Sequence, residues 1–247
     1  MKVSIITTTY NTGKTAGDTI ESVLNQTYKD IEYIIVDDKS TDDTLCVVNK
    51  YKDKITKIVP AEHSGIFGAL NIGVSLATGD IVAILNSDDF YISNDVIETV
   101  VDEFEKTGAD SVFGDIVIVD KDDISKVVRN WKSSPYTEGA FQKGWHPPHP
   151  AFFVRKSIYK KYGLFRTDFS TAGDFELVLR FLERYKITSS YIPKVLTKMR
   201  AGGQSNKSYY NWIRAIWYSY KAFKINKLKV SPLFIFRKPI YKLHQYR

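Results

Sequence analysis

One cysteine, Cys46, stands in 247 residues, so no internal disulfide can form and the chain is not a disulfide scaffold. Cys46 lies inside a helical pattern with no motif around it, which gives no sign of a catalytic thiol. Repeats, heptads and low-complexity tracts are missing, which excludes solenoids and disorder. Long apolar runs are missing too. The opening MKVSIITTTYNTG carries one lysine and an apolar run too short for a signal core. The longest uncharged run, residues 63–79, holds four glycines with His63, Ser64, Asn71, Ser75 and Thr78, a poor membrane-spanning helix. With one cysteine and no signal, the expected compartment is the cytoplasm. Only four histidines occur (His63, His146, His149, His244), none in HExxH spacing, which disfavours a zinc enzyme. No GxGxxG opens the first helix and no GxxxxGK[ST] occurs, so a glycine-rich loop is not the expected means of holding phosphate.

Acidic residues stop at Glu183: residues 184–247 hold 15 Lys and Arg and no Asp or Glu. The whole chain is +7, so residues 1–183 are acidic, with 20 basic against 28 acidic side chains. A basic tail on an acidic body suits a polyanionic partner, nucleic acid or anionic lipid, or else a solvated helical face.

What remains is 43% apolar and 14% aromatic, enough for a sizeable core. Val3–Thr8, Ile31–Val36, Ile55–Val59 and Ile81–Leu85 are apolar or β-branched runs. Between them lie helical patterns around Ile20, Val23 and Leu24, then Leu45, Val47 and Val48 behind a cap at Ser40 or Thr41, then residues 65–77. Continuous apolar strands alternating with helices predict an α/β fold with a parallel sheet covered on both faces. Later, residues 111–119, 125–131 and Ala151–Arg155 predict strands, 132–150 a loop, and Asp174–Tyr185 a helix.

Ligands of such sheets sit beyond the carboxyl ends of the strands. Those ends carry Thr8, Thr9, Tyr10 and Asn11, then Asp37 and Asp38, then Asn86, Ser87, Asp88 and Asp89. Four carboxylates on one rim repel one another unless a cation binds. Acids at a strand end suit Mn2+ or Mg2+, with water and phosphate oxygens completing the shell. A turn and helix cap would use the Asp88-Asp89 pair equally well. Asp37-Asp38 fits hydrogen bonding to a base or ribose, or an N-cap for the helix near Ser40.

TTTYN, VDDKSTDDT and GALNIGVSLATGDIVAILNSDD, in that order, resemble the family 2 glycosyltransferases, and HPAFFVRKSIYKKYGLF and GDFELVLRF extend the likeness to about residue 185. The resemblance implies a Rossmann-like GT-A fold with a mixed, mostly parallel sheet. Residues 1–204 would form the catalytic domain, 1–120 its nucleotide-sugar half and 121–204 its acceptor half, with 205–247 a basic aromatic helical region. It implies a UDP-sugar donor held by Thr8, Tyr10, Asn11, Asp38, Asn86, Ser87 and Asp88. Asp88 would meet ribose and metal, and Asp89 would share the metal. Asn86 stands where the family often has an acid, so Asp-x-Asp reads Asn-x-Asp. Asp174 matches the family's catalytic base, and a single base opposite the leaving group implies inversion.

Trp145, His146, His149 and Glu176 are the acceptor-side candidates, although Trp145 could simply pack its loop down. Arg200 and Gln204, in MRAGGQSN, could form a mobile lid over the diphosphate. In the tail, Tyr209, Ile213, Ile216, Tyr220 and Phe223 recur at helical spacing beside Trp212 and Trp217, with Lys207, Arg214 and Lys221 on another face. This is the pattern of an interfacial membrane anchor; a helix packed on the domain is the alternative, and nucleic acid fits least. The resemblance extends to enzymes that build glycans on polyprenyl diphosphates, so the acceptor is expected to be lipid-linked or a polysaccharide. A nucleotide-sugar hydrolase and a non-catalytic subunit of this fold are the rival classes. A homo-oligomer is compatible with the sequence.

Overall fold

The computed structural model describes residues 1–169, 172–202 and 209–243. In chain order its elements are β1 (Val3–Thr9), α1 (Ala16–Leu24), β2 (Ile31–Asp37), α2 (Thr44–Asn49), β3 (Lys57–Pro60), α3 (Gly65–Leu76) and β4 (Ile81–Ile84). There follow β5 (Phe90–Tyr91), α4 (Val96–Thr107), β6 (Ser111–Val119), β7 (Val127–Trp131), β8 (Phe152–Arg155), α5 (Lys156–Tyr162) and α6 (Gly173–Leu179). The last are β9 (Ser189–Arg200), α7 (Tyr209–Ile225) and α8 (Phe234–Leu243).

One nine-stranded sheet runs β3-β2-β1-β4-β8-β6-β9-β5, with β7 beside β6. β1 pairs in parallel with β2 and β4, and β2 with β3. β8 enters antiparallel between β4 and β6, and β6 lies parallel to β9. Six strands therefore share one direction, while β5, β7 and β8 oppose it. This is the mixed, mostly parallel α/β sheet expected.

Every residue of β1 is buried, as the middle strand of a covered sheet must be. Its side chains alternate: Val3 and Ile5 join the core under α1, α2 and α4, while Ile6 joins the core under α3, α5, α6 and α7. A buried carboxylate ties the first four strands together at their amino ends. Glu32 accepts from Ser4 Oγ (2.6 Å), Thr78 N–H (2.6 Å), Thr78 Oγ1 (2.9 Å) and Lys57 Nζ (3.3 Å). Burial raises its pKa, but these hydrogen bonds outweigh burial and bring it to about 2.

Several elements differ from expectation. α2 starts at Thr44 behind Asp43, with Asp42 accepting from Thr44 N–H, so neither Ser40 nor Thr41 is its cap. The strand expected over 125–131 begins at Val127. The 174–185 helix is α-helical only to Leu179. It widens into a π turn over Arg180–Arg184, closed by Tyr185 N–H to Arg180 O at 3.0 Å. β9 was not foreseen, because Pro193 and Lys194 break its pattern. The pairing with β6 steps from Gly114↔Ile192 to Asp115↔Val195, which puts both residues in a bulge.

The tail is divided between interior and surface. On α7, Ile216, Ser219, Ala222 and Phe223 are buried, with Asn226 just beyond, whereas Ile213 and Trp217 are exposed. Ile216 and Phe223 thus leave the single outward stripe that the spacing suggested. Among the described residues no helix is long and apolar enough to cross a membrane.

Candidate active site

The rim formed by the ends of β1, β2 and β4 is organised largely by its own hydrogen bonds. Asp38 N–H donates to Thr9 O at 2.8 Å. Asp37 accepts from Thr9 Oγ1 (2.8 Å) and Ser40 Oγ (2.6 Å). Asp38 accepts from the N–H groups of Ser64 (2.8 Å) and Gly65 (3.0 Å), so both carboxylate oxygens anchor the start of α3. Asn11 sits in the left-handed region (φ 52°), where its Oδ1 accepts from Thr41 N–H at 2.8 Å. Thr8 is buried at the strand end, and Tyr10 stands 54% exposed beside it.

After β4 the chain turns tightly, with Asp89 N–H on Asn86 O at 3.0 Å. Ser87 is buried, Asp88 half-buried and Asp89 1% exposed. Burial and then the neighbouring Asp88 charge push Asp89 well above the carboxylate range. Asp89 Oδ1 accepts from Arg200 N–H at 3.3 Å. Arg200, the last residue of β9, donates from Nη1 to Asp88 O at 2.9 Å, pairs with Asp18 through Nη2, and lies over the Phe90 ring. Arg200 is therefore nearly buried and braces this turn. Gln204 lies outside the described residues.

α6 is a core helix. From Gly173 to Glu183 every residue is buried except Asp174. Gly173 makes this packing possible: a Cβ there would meet the Phe67 ring of α3 at 2.7 Å. Asp174, in the first turn, is 34% exposed, and its Oδ2 lies 3.1 Å from His149 Nδ1. His149 Nε2 in turn lies 3.2 Å from Asn86 Nδ2. A line Asn86–His149–Asp174 thus joins the end of β4 to the start of α6. Burial opposes charge on both members, yet their mutual hydrogen bond and attraction win. Asp174 falls to about 2 and His149 is raised.

The remaining acceptor-side candidates divide. His146 is half-buried, edge-on to Trp131 and Phe175 at 5.0 and 5.3 Å, and burial together with the Lys238 charge lowers it to about 3. Trp145 does not face the cleft. It is 4% exposed in an aromatic cluster with Phe113, Tyr136 and Phe141, which is the loop-packing alternative. Glu176 is fully buried, ion-paired with Arg180 at 3.1 Å, because the helix face it occupies points into the core. Asp18 and Lys238 are neighbours of the site that sequence reasoning missed. They reach it from 182 residues away from Arg200 and from the last helix, and no spacing signals either.

Among the described residues no group of three or more His, Cys, Asp or Glu forms a ready-made metal cage. The donor chemistry still fits a hard cation. Asp88 and Asp89 repel one another, and Mn2+ or Mg2+ takes one or two carboxylates when phosphate oxygens supply the rest. Asp88 is half-buried, whereas Asp89 is shut in at 1% exposure.

This chain belongs to glycosyl transferase family 2, whose model matches residues 4–163. Its fold is the GT-A fold. The chain is 45% identical over 95 residues (38% of each chain) to WfaP of Escherichia coli, a UDP-Glc:alpha-D-GlcNAc-diphosphoundecaprenol beta-1,3-glucosyltransferase. WfgD of the same organism, also a UDP-Glc:alpha-D-GlcNAc-diphosphoundecaprenol beta-1,3-glucosyltransferase, is 34% identical over 123 residues, 49% of this chain and 48% of its own. EpsE of Bacillus subtilis is 30% identical over 254 residues, 98% of this chain and 88% of EpsE. The alignments span about two fifths of the length of the first curated relatives, 41%, 38% and 39%. In fold the chain is similar to S. aureus TarS in complex with UDP (TM-score 0.68, 18% identity, 96% of this chain and 68% of that one). It is also similar to the mannosyltransferase PcManGT of Pyrobaculum calidifontis with GDP-Man and Mn2+ (TM-score 0.68, 22% identity, 99% and 69%).

Proposed function

We propose that this enzyme moves a hexose or N-acetylhexosamine from a UDP-sugar to a hydroxyl of a lipid-diphosphate-linked or polysaccharide acceptor, with inversion and with Asp174 as general base. The observation that carries the reading is the Asn86–His149–Asp174 line, which ties one ionised, partly exposed carboxylate to the strand end that carries Asp88. The names of WfaP and WfgD support the donor and acceptor class, and the UDP complex of TarS supports the nucleotide.

In the proposed reaction the acceptor oxygen attacks the anomeric carbon as its proton passes to Asp174. The bond from that carbon to the diphosphate breaks, and the electron pair leaves with UDP. The acidity of the hydroxyl rises as the new bond forms, so a base of low pKa is competent at that stage. His149 holds the carboxylate in place and ionised, and Asn86 fixes the ring from its other side. Thr8, Tyr10, Asn11, Asp38 and Ser87 line the nucleotide side. A divalent cation on Asp88 would supply neutralisation of charge on the departing diphosphate. With an α-linked donor, NMR of the first product formed should show a β-linkage; an α-linked product would refute the single-base mechanism.

The acceptor class also gives the tail a role. Ile213 and Trp217 stand exposed one turn apart on α7, Leu233 and Ile235 stand exposed near the start of α8, and no acid follows Glu183. This surface fits peripheral docking on an anionic membrane from the cytoplasmic side. Co-sedimentation with anionic vesicles in low salt should recover the enzyme, and neutral vesicles should not. Equal recovery from both would remove the docking role.

A further inference from the structure

The two residues that follow Asp174 are both gripped by the C-terminal helices. Glu176 Oε1 accepts from Asn226 Nδ2 at 2.9 Å and from Arg180 Nε at 3.1 Å, and Oε2 accepts from Arg180 Nη2 at 3.2 Å. Arg180 also donates to Tyr162 O (2.5 Å) and Leu164 O (2.6 Å), and Arg184 donates to Asn226 O (2.5 Å). Glu176 and Asn226 are 0% and 4% exposed, so their hydrogen bond is shielded from water. Phe175, on the other side of the turn, packs against both Phe223 of α7 and Phe234 of α8, each 6.2 Å away between ring centres. Lys238 Nζ sits 3.8 Å over the Phe175 ring and donates to the buried Ser219 hydroxyl of α7 at 2.5 Å.

We propose that Asn226, with Lys238 as its counterpart on α8, is a positioning residue for Asp174, so that the C-terminal region is a fixed part of the catalytic apparatus. Asp174 is the one side chain of its helix that is not buried, and His149 holds its carboxylate from one side. Its position depends on the turn beneath it as well as on His149. That turn is pinned by α3 at Gly173 and by Asn226 through the buried Glu176. Phe175 is held against α7 and α8 under the half-buried cation of Lys238. A base displaced by even a fraction of an ångström from the acceptor oxygen loses rate without losing substrate affinity. Neither contact touches the end of β1 or β2, so nucleotide binding is independent of both.

The inference rests on Asp174 being the base, and a double-mutant cycle separates the two claims. Turnover, KM for the UDP-sugar, UDP binding and thermal midpoints are measured for the full-length wild type, Asn226→Ala, Lys238→Met, Asp174→Asn and the Asp174→Asn/Asn226→Ala pair. Asn226→Ala and Lys238→Met should each lower kcat roughly 10- to 100-fold with KM for the donor and UDP binding unchanged. Added to Asp174→Asn, Asn226→Ala should cost little further turnover. Wild-type kcat in both single variants, or multiplied losses in the pair, would overturn the positioning role. Should Asn226→Ala not fold, Lys238→Met decides by the same criteria, as it keeps an unbranched apolar stem over Phe175. Full turnover in Asp174→Asn would instead remove the base itself.

Discussion

His149 Nδ1 lies 3.1 Å from Asp174 Oδ2, and this contact makes one unit of two groups that are 25 positions apart in the chain. In the neutral ring Nδ1–H donates to the carboxylate and Nε2 accepts from the Asn86 amide; in the charged ring the pair is ionic. The raised pKa of His149 and the lowered pKa of Asp174 both express the same attraction.

Removing the carboxylate should therefore be visible on the imidazole. In Asp174→Asn, burial acts on His149 unopposed by its main partner, and its pKa should drop, which NMR titration of the ring protons reads directly. For stability, the sign follows from the two shifts. The ion pair contributes above the depressed Asp174 pKa and is lost as pH rises through the raised His149 pKa. A His149 pKa that does not move in Asp174→Asn would show that the contact does not set the protonation of the site.

Asp88 and Asp89 should behave differently toward metal. With UDP present, Mn2+ should raise the thermal midpoint of the wild type, since a ligand at 100 times its Kd stabilises by about 2.7 kcal/mol. Asp88→Asn should abolish that increment. Asp89→Asn should retain it, because Asp89 is sealed beneath the turn and serves Arg200 N–H, a bond an amide oxygen also accepts. The reverse order would transfer the metal ligand to Asp89.

Glu32 makes a prediction about the fold alone. Its carboxylate holds β1, β3 and the turn before β4, so Glu32→Gln should destabilise the protein by about 2 kcal/mol or more near neutral pH. Because its folded pKa is depressed to about 2, the contribution is complete above its ordinary value of 4.5 and fades as pH falls toward 2. Denaturant unfolding at neutral and acid pH should show the gap between wild type and variant closing on acidification. A gap independent of pH would mean that packing, not charge, makes the difference.

The parallel half of the fold was legible because buried strands announce themselves: Val3–Thr9 and Ile31–Asp37 are runs of β-branched and apolar residues closed by polar turns. The rim was legible for the same reason, since strand ends place Thr8, Asp38 and Asp88 together. The second half was harder. β9 carries Pro193 and Lys194 in a bulge, and β5 is two residues long, so neither has the period of a strand. Side-chain direction was the other gap. Glu176 follows Asp174 by two positions, which on a helix turns it about 200° away from the cleft, and Trp145 is drawn into the core by three aromatic rings. Asp18 and Lys238 reach the site through long-range packing that no local spacing records.

The central claim is that Asp174 takes the acceptor proton. The most direct measurement is turnover of Asp174→Asn with a UDP-sugar and a diphosphate-linked acceptor, alongside its affinity for UDP. A fall of roughly 100-fold or more in kcat with UDP affinity unchanged is the predicted result. Undiminished kcat would contradict it.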